Sequence, residues 1–255
     1  MRGAMLITKL LSFICIVAFL KISAADDSLH QDADSEKNVY VYKQEFMPRQ
    51  TLDLDLNKTA LLVIDPQNDF MSEQSPIWAL VGPHVEKQNL IEHLSLLINA
   101  AEKNDIPVFY SPHMYTHNDI EQWQSLNGID KIMFDNKMFV QGTNGHKFVA
   151  ELEPSETTIV LSPHKGLSNF WTGDIGIQLR QRGIETLIIT GMAANMCVDA
   201  HARDAIENGF DIIIVADAVA AAGERAMQAA YTNYEFLAHE VLNTQQVLAK
   251  IEQAN

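Results

Sequence analysis

Five short runs of apolar or β-branched residues, separated by stretches with helical spacing, constrain the fold more than any other feature of the chain. They occupy residues 60–64, 107–110, 157–161, 186–190 and 211–215, and a shorter run follows at 240–243. Continuous apolar runs are typical of strands buried on both faces. Strands that alternate with helices predict right-handed crossovers and a mostly parallel sheet. The pattern predicts one α/β domain over residues 58–255, with a helix at 85–104 and with lids and pocket walls in 111–156.

The first 25 residues differ from the rest of the chain. Arg2 and Lys9 precede an apolar run from Leu10 to Leu20, and small residues follow at Ser23–Ala25. This order of charged, apolar and small segments is typical of a secretory signal peptide, and the run is short for a membrane span. We therefore expect residues 1–25 to be removed and the protein to be secreted or periplasmic, with an uncleaved membrane anchor as the alternative.

Removing this segment changes both the charge and the cysteine count. It holds three of the 18 basic residues and none of the 33 acidic ones, so the formal charge falls from −15 to −18. Such an acidic surface disfavours nucleic acid and anionic membranes as partners. Of the two cysteines, only Cys197 remains, which indicates a free reactive thiol or an intermolecular bond. Residues 26–57 are polar and aperiodic, and we expect a flexible leader there.

Three side chains that could carry chemistry follow predicted strands. Asp65 ends the first strand, Lys165 comes after the third, and Cys197 follows the fourth, where a helix begins. Active sites of open α/β sheets lie beyond the carboxyl ends of the strands. Cys197 could be a nucleophile assisted by backbone N–H groups, Asp65 a general base, and Lys165 a cation that pairs with Asp65. The structural alternatives are an inert buried thiol, a turn carboxylate and a solvated surface charge.

The residues around these positions resemble the isochorismatase-like cysteine hydrolases. Leu62–Phe70 is similar to the opening strand of that family, and Gly191–Val198 is similar to its nucleophile turn. Arg203-Asp204-Ala205 and Ala216-Asp217-Ala218 match later landmarks in the same order. The resemblance covers roughly residues 58–250.

This resemblance implies a three-layer α/β/α fold on a six-stranded, mostly parallel sheet, with a cis peptide just before Ala193. It implies a triad of Asp65, Lys165 and Cys197, and an oxyanion hole formed by the backbone N–H groups of Ala193 and Cys197. Cys197 would attack an amide-like carbon of a small molecule, Asp65 would move the proton, and water would hydrolyse the thioester. We expect no cofactor and no metal, and a homo-oligomer.

Two departures from the family pattern leave alternatives open. Many members place the lysine four residues before a Ser-Ala-Phe-like triplet, which is Ser168-Asn169-Phe170 here. His164 holds that register and Lys165 is one residue nearer, but a Pro-His-Lys variant exists within the family, so we assign Lys165. His201, one helical turn after Cys197, could instead pair with the thiol.

The sequence also bears on related activities. The nicotinamidases of this superfamily bind a metal through Asp-x-His, which does not occur between Phe70 and the second strand. His113 and His117 have a spacing that a metal could use on a helix, but we expect a loop there. True isochorismatases lack the nucleophilic cysteine. The hypotheses are therefore a cysteine hydrolase of an amide or carbamoyl bond, a non-thiol hydrolase on the same scaffold, and a non-catalytic binding protein.

The walls of the substrate pocket are less defined by the sequence. Five aromatic residues on strand-end or lid segments are candidates, and core packing is the alternative for each: Phe70, Tyr115, Trp123, Phe170 and Trp171. They would suit an apolar or aromatic small substrate with one hydrolysable group.

Overall fold

The central element of the structure is one six-stranded sheet whose neighbouring strands are all parallel. The computed structural model describes residues 51–255, so the predicted signal peptide and residues 26–50 of the predicted leader lie outside it. The strands are β1 (Thr59–Ile64), β2 (Val108–Ser111), β3 (Ile159–Val160), β4 (Thr186–Met192), β5 (Asp211–Ala220) and β6 (Glu240–Leu242). Their spatial order is β3-β2-β1-β4-β5-β6, which confirms the predicted sheet.

Ten α-helices accompany the sheet within residues 51–255. They are α1 (Asn68–Met71), α2 (Trp78–Lys87), α3 (Leu90–Lys103), α4 (His117–Gln122), α5 (Gly128–Asp135), α6 (Asn169–Thr172), α7 (Ile175–Gln181), α8 (Asp199–Glu207), α9 (Glu224–Leu237) and α10 (Thr244–Ala254). The helical stretch predicted over 85–104 is confirmed by the end of α2 and by α3, but it is not continuous, because Asn89 adopts a left-handed φ of 51° and separates the two helices. In this range no helix combines the length and the apolar composition that crossing a membrane requires.

The sheet is buried on both faces. Successive side chains of each strand point to opposite sides, and helices cover both sides. Leu61 and Val63 of β1 belong to the core that α2, α3 and α10 cover, and Leu62 and Ile64 to the core that α7, α8 and α9 cover. Leucines at alternate positions before β1 pack against the first core: Leu52, Leu54 and Leu56. The predicted three-layer architecture is confirmed, and the buried sheet explains the uninterrupted apolar runs.

The chain order around β1 determines where a site can form. The chain passes from β1 to β2 and β3 on one side of β1, then returns to place β4 on its other side. Ligands of open α/β sheets bind at such a switch point, beyond the carboxyl ends of the strands. Ile64, the last residue of β1, pairs with Gly191 of β4, so the residues that follow β1 and β4 meet there.

The pairing of Ile64 with Gly191 leaves no room for a side chain at position 191. Gly191 has φ +110°, and a Cβ atom at this position would collide with the carbonyl oxygen of Ile64. We expect Gly191→Ala to destabilise the fold by about 3 kcal/mol or more, measured by urea unfolding. Gly209, which ends α8 at φ +85°, has open space around its Cβ position. Gly209→Ala should therefore cost only about 1 kcal/mol, the backbone contribution alone. Equal losses for both variants would contradict the steric argument.

Residues 116–138 form a long connection whose two ends are joined by backbone hydrogen bonds and whose residues Met133, Phe134 and Met138 are buried in the first core. The N–H of Tyr115 donates to the carbonyl of Phe139 (2.9 Å), and the N–H of Gln141 donates to the carbonyl of Tyr115 (2.8 Å). Between these paired ends lie α4 and α5, each capped by a polar side chain, Thr116 or Asn127. We call residues 116–138 the α4–α5 loop; it falls inside the region predicted to supply lids.

Candidate active site

Asp65 and Cys197 meet at the switch point because they follow the neighbouring strands β1 and β4. Asp65 comes directly after β1, with φ 50°, and its N–H donates to the carbonyl of Ser111 (3.0 Å). Cys197 lies in one π-helical turn, Ala194–Val198, that precedes α8. Both side chains are fully buried. The Sγ atom of Cys197, a carboxylate oxygen of Asp65 and a ring nitrogen of His113 lie within 4.8 Å of one another.

The thiol of Cys197 lies near the carboxylate of Asp65 and the backbone N–H groups of Ala193 and of Cys197 itself. Burial, followed by the charge of Asp65, raises the pKa of this thiol well above its ordinary value. The backbone N–H groups of Ala193 and of Cys197 itself act in the opposite direction, but they do not outweigh burial. The resting thiol therefore keeps its proton and would need a base in order to act as a nucleophile. The peptide between Met192 and Ala193 is cis, as the family resemblance implied.

His164 is the cation that pairs with Asp65. Its Nε2 lies 2.9 Å from Oδ1 of Asp65, and its Nδ1 lies 2.6 Å from the carbonyl oxygen of Gly166. A carbonyl oxygen only accepts, so Nδ1 carries a hydrogen. Burial alone would lower the pKa of His164, but the charge and hydrogen bond of Asp65 raise it above its ordinary value. His164 is therefore an imidazolium that donates from both nitrogens.

Lys165 does not reach Asp65, and the backbone register shows why. The N–H of His164 donates to the carbonyl of Pro112 (2.9 Å), and the carbonyl of His164 accepts the N–H of Met114 (3.1 Å). These two hydrogen bonds continue the parallel pairing beyond β2 and β3. Consecutive residues of an extended segment point to opposite sides. With His164 directed inward, Lys165 points away, and its side chain is 36% exposed. The assignment of Lys165 beside Asp65 is thus corrected in favour of His164, the alternative.

Lys165 has a partner of its own in the α4–α5 loop. Its Nζ lies 2.6 Å from Oδ2 of Asp119, which also accepts the N–H of Thr116 at the start of α4. Burial would raise the pKa of Asp119, but Lys165 and the Thr116 donors outweigh it and lower that pKa. Lys165 therefore connects the segment after β3 to the loop.

His201 has no contact with the sulfur that would make it a base for the thiol. The N–H of Asn169 donates to its Nε2 (3.0 Å), so the proton of the ring is on Nδ1 and is donated to the carbonyl of Cys197 (2.7 Å). Burial, followed by the charge of His164, lowers the pKa of His201 to about 3. His201 is a neutral residue that fixes the backbone of the nucleophile turn and of α6.

His113 lies in the site, whereas the sequence suggested it only as one of two possible metal ligands, together with His117. Its ring nitrogen lies beside Sγ of Cys197 and Asp65, and its ring contacts that of His164 at 4.7 Å between centroids. His117 is exposed at the start of α4, so the structure does not bring the pair together. A metal ion in this region would instead meet Asp65, His113 and Cys197. The signal for His113 was its position two residues after β2, at the same edge as Asp65.

The five aromatic candidates for the pocket fall into two groups. Phe70 and Tyr115 are buried near the site: Phe70 packs edge-on against Phe139 (4.9 Å), and Tyr115 packs against His113 (4.8 Å). The other three lie further out. Trp123 is 38% exposed and stacks on Phe134, Phe170 contacts Phe210, and Trp171 is 81% exposed on α6. Phe139, which contacts both Phe70 and His113, was not singled out from the sequence.

Two residues of the segment after β1 hold these surroundings in position. Gln67 accepts the N–H of His113 (2.7 Å) and donates to its carbonyl (2.9 Å). Asp69 accepts the N–H of Phe139 (2.5 Å). The motif that begins at Asp65 therefore supplies the carboxylate of the candidate site and two side chains that hold the backbones of His113 and Phe139.

Comparisons with known proteins identify the family to which the chain belongs. The isochorismatase domain model matches residues 59–246. An uncharacterized isochorismatase family protein, YddQ of Bacillus subtilis, is 32% identical over 185 residues, which are 71% of this chain and 89% of YddQ. A ureidoacrylate amidohydrolase, RutB of Methylorubrum extorquens, is 28% identical over 68% of this chain and 74% of RutB.

A solved structure shares the fold. The cysteine hydrolase from Pseudomonas syringae pv. phaseolicola superposes with a TM-score of 0.73 over 82% of this chain and 99% of that protein. The sequence identity is 20%, so this likeness concerns the arrangement of the sheet and helices.

Proposed function

Because the chain belongs to the isochorismatase family, we propose that it is a cysteine hydrolase that cleaves an amide or carbamoyl C–N bond of a small molecule. The nucleophile is Cys197, the general base and acid is Asp65, and His164 is the cation that stabilises their charges. The observation that carries the proposal is a buried thiol beside a carboxylate that is paired to an imidazolium. The similarity to a ureidoacrylate amidohydrolase supports the C–N bond as the target.

We assign the carboxylate of Asp65 as the acceptor of the thiol proton. Oδ1 of Asp65 is occupied by His164, whereas Oδ2 faces no N–H or O–H donor in residues 51–255. Transfer of the proton from Sγ to Oδ2 moves the negative charge from the carboxylate to the sulfur. Because His164 keeps its positive charge throughout, the total charge of the buried cluster stays zero. Burial therefore does not oppose the transfer as it would oppose the creation of a new charge.

The remaining steps follow from this transfer. The thiolate attacks the carbonyl carbon, and the N–H groups of Ala193 and Cys197, which lie near the sulfur, are available to the oxyanion. Asp65 returns the proton to the leaving nitrogen as the C–N bond breaks, which leaves a thioester on Cys197. Water, deprotonated by Asp65, then hydrolyses the thioester and regenerates the thiol.

A turnover screen tests the proposal. Neutral primary amides and N-carbamoyl compounds are incubated with the full chain, ammonia release is measured, and acid-quenched samples are searched by mass spectrometry for an acyl group on the peptide that contains Cys197. We expect ammonia release together with this adduct. Hydrolysis without an adduct, and insensitive to thiol alkylation, would favour a non-thiol hydrolase. A reactive thiol with no turnover of any compound would favour a binding protein.

Export and self-association remain proposals of a separate kind. Export to a secreted or periplasmic location is supported by the charged, apolar and small segments within residues 1–25 alone. A homo-oligomer was expected from the family resemblance. Neither property is required by the chemistry proposed for Cys197.

A further inference from the structure

The imidazole of His113 is a buried polar group that the proposed reaction leaves unused. The residue is 1% exposed, and neither ring nitrogen has a hydrogen-bond partner within the part of the chain that the structure describes. Buried polar groups in folded proteins are nearly always hydrogen-bonded, so each exception needs an explanation. An imidazole with two free nitrogens beside a nucleophile points to a partner that arrives with the substrate.

His113 cannot turn to find a partner elsewhere. Gln67 holds its backbone N–H and carbonyl at the same time. Its ring is enclosed by those of Tyr115 (4.8 Å), Phe139 (5.1 Å) and His164 (4.7 Å between centroids). The imidazole is therefore already oriented before a substrate binds, which lowers the entropic cost of using it.

The charge state of His113 limits what it can bind. The ring is enclosed, and no group among residues 51–255 accepts a hydrogen bond from it that would hold a second proton, so it rests in its neutral form. A neutral imidazole offers one N–H donor and one lone pair. Tyr115 and Phe139 add no charge to its surroundings. Bringing a charged group into these buried surroundings would cost desolvation free energy, so a neutral group that hydrogen-bonds fits the site better.

The distances to the reacting atoms identify that group. A ring nitrogen of His113 lies within 4.8 Å of both Sγ of Cys197 and a carboxylate oxygen of Asp65. The carbon under attack sits about 3–3.5 Å from the sulfur. An atom bonded to that carbon can therefore lie within hydrogen-bond distance of His113 and of Asp65 together. With the carbonyl oxygen directed to the N–H groups of Ala193 and Cys197, this atom is the leaving nitrogen.

We propose that the lone pair of His113 accepts an N–H of the leaving nitrogen and makes the site selective for an unsubstituted carboxamide or ureide end over the corresponding ester. This inference rests on the proposed function, since it names the group that Cys197 attacks. The hydrogen bond turns the leaving nitrogen toward Asp65, which protonates it. An ester has no N–H at this position and leaves His113 unpaired.

Matched substrates and variants test the inference. His113→Phe keeps a ring of similar shape but cannot accept a hydrogen bond, whereas His113→Asn keeps an acceptor. For an amide that is turned over, His113→Phe should lower kcat/KM by roughly 10- to 100-fold, while His113→Asn retains much of the activity. For the matching ester, His113→Phe should change kcat/KM little. The ammonium of Lys165 points away from the site, so Lys165→Ala should leave kcat/KM for both substrates unchanged. His113→Leu replaces the phenylalanine variant if that one does not fold.

Chemical labelling of Cys197 gives a readout that does not require turnover. Iodoacetamide carries a primary carboxamide and methyl methanethiosulfonate does not, and mass spectrometry follows both at the peptide that contains Cys197. We expect the ratio of the two labelling rates to fall in His113→Phe and to be kept in His113→Asn. A ratio that shifts without any amide turnover would contradict the proposed function and support the role of His113. Amide turnover with an unchanged amide-to-ester preference and an unchanged labelling ratio would overturn the inference.

Discussion

Replacing Cys197 with alanine should lower kcat/KM for the amide or carbamoyl substrate by at least about 10⁴-fold, because the covalent route is lost. The side chain is small and packs among apolar residues of the second core, so the variant should remain folded. The measurement is ammonia release, with circular dichroism and urea unfolding to verify the fold.

Cys197→Ser is the matched control for this experiment. It keeps the hydrogen of the side chain within reach of Asp65 but offers a poorer nucleophile, so its activity should also be nearly lost. The only other cysteine, Cys15, lies in the predicted signal peptide, and Cys15→Ala should change nothing. Full activity of Cys197→Ala would show that the chemistry proceeds without the thiol.

Replacing His164 with alanine should lower kcat/KM by about 10²- to 10³-fold. The loss has two sources: the thiolate loses a stabilising charge, and Asp65 becomes an unpaired carboxylate inside the protein. An unpaired buried charge also destabilises the fold, by about 3–5 kcal/mol. Activity and unfolding should therefore be measured on the same preparation, and His164→Gln provides a second variant if the alanine variant does not fold.

The pH dependence separates a charged role of His164 from a packing role. Because the pKa of His164 is raised, its charge is complete below the ordinary value and is lost as the pH rises through the raised value. The contribution of the Asp65–His164 pair to stability disappears over the same range, and kcat/KM should fall there. His164→Lys restores a cation with an ordinary pKa of about 10.4, so the alkaline limb should move upward.

Lys165, the neighbour of His164, provides the comparison for the His164 variants. Lys165→Ala should leave kcat/KM and its pH profile close to those of the wild type, since its ammonium contacts Asp119. A large loss in Lys165→Ala together with little loss in His164→Ala would restore the original assignment of Lys165.

The sequence predicted the fold and the two strand-end groups because both depend on local patterns. A buried parallel sheet requires uninterrupted apolar runs; Asp65 directly follows the first of them, and Cys197 lies in the turn after the fourth. The isochorismatase family and the six-stranded sheet are confirmed. The break at Asn89 was missed because a left-handed asparagine leaves little trace in the apolar periodicity of α2 and α3.

The choice between His164 and Lys165 could not be made from the sequence. The third strand has only two residues, and the residues after it pair with the extension of β2 at His113, 51 positions earlier. A shift of one residue in that pairing would exchange the two side chains. The role of His113 was hidden for the same reason, since its contacts come from Gln67 and Phe139, which are distant in sequence.

The paired ends of the α4–α5 loop have a consequence for protein engineering. Tyr115 is hydrogen-bonded to Phe139 and Gln141 where the loop leaves and returns, and Met133, Phe134 and Met138 pack in the first core. The exposed stretch at residues 124–125, between α4 and α5, can therefore change in length without displacing Asp65 or Cys197. Gln67 and Asp69, which lie outside the loop, fix the backbones of His113 and Phe139 on either side of it. The stretch at residues 124–125 is therefore the part of the α4–α5 loop at which residues can be inserted or exchanged. A graft from a relative can alter this exposed stretch while Asp65 and Cys197 stay in place, provided that the five anchoring hydrogen bonds and the packing of Met133, Phe134 and Met138 are retained.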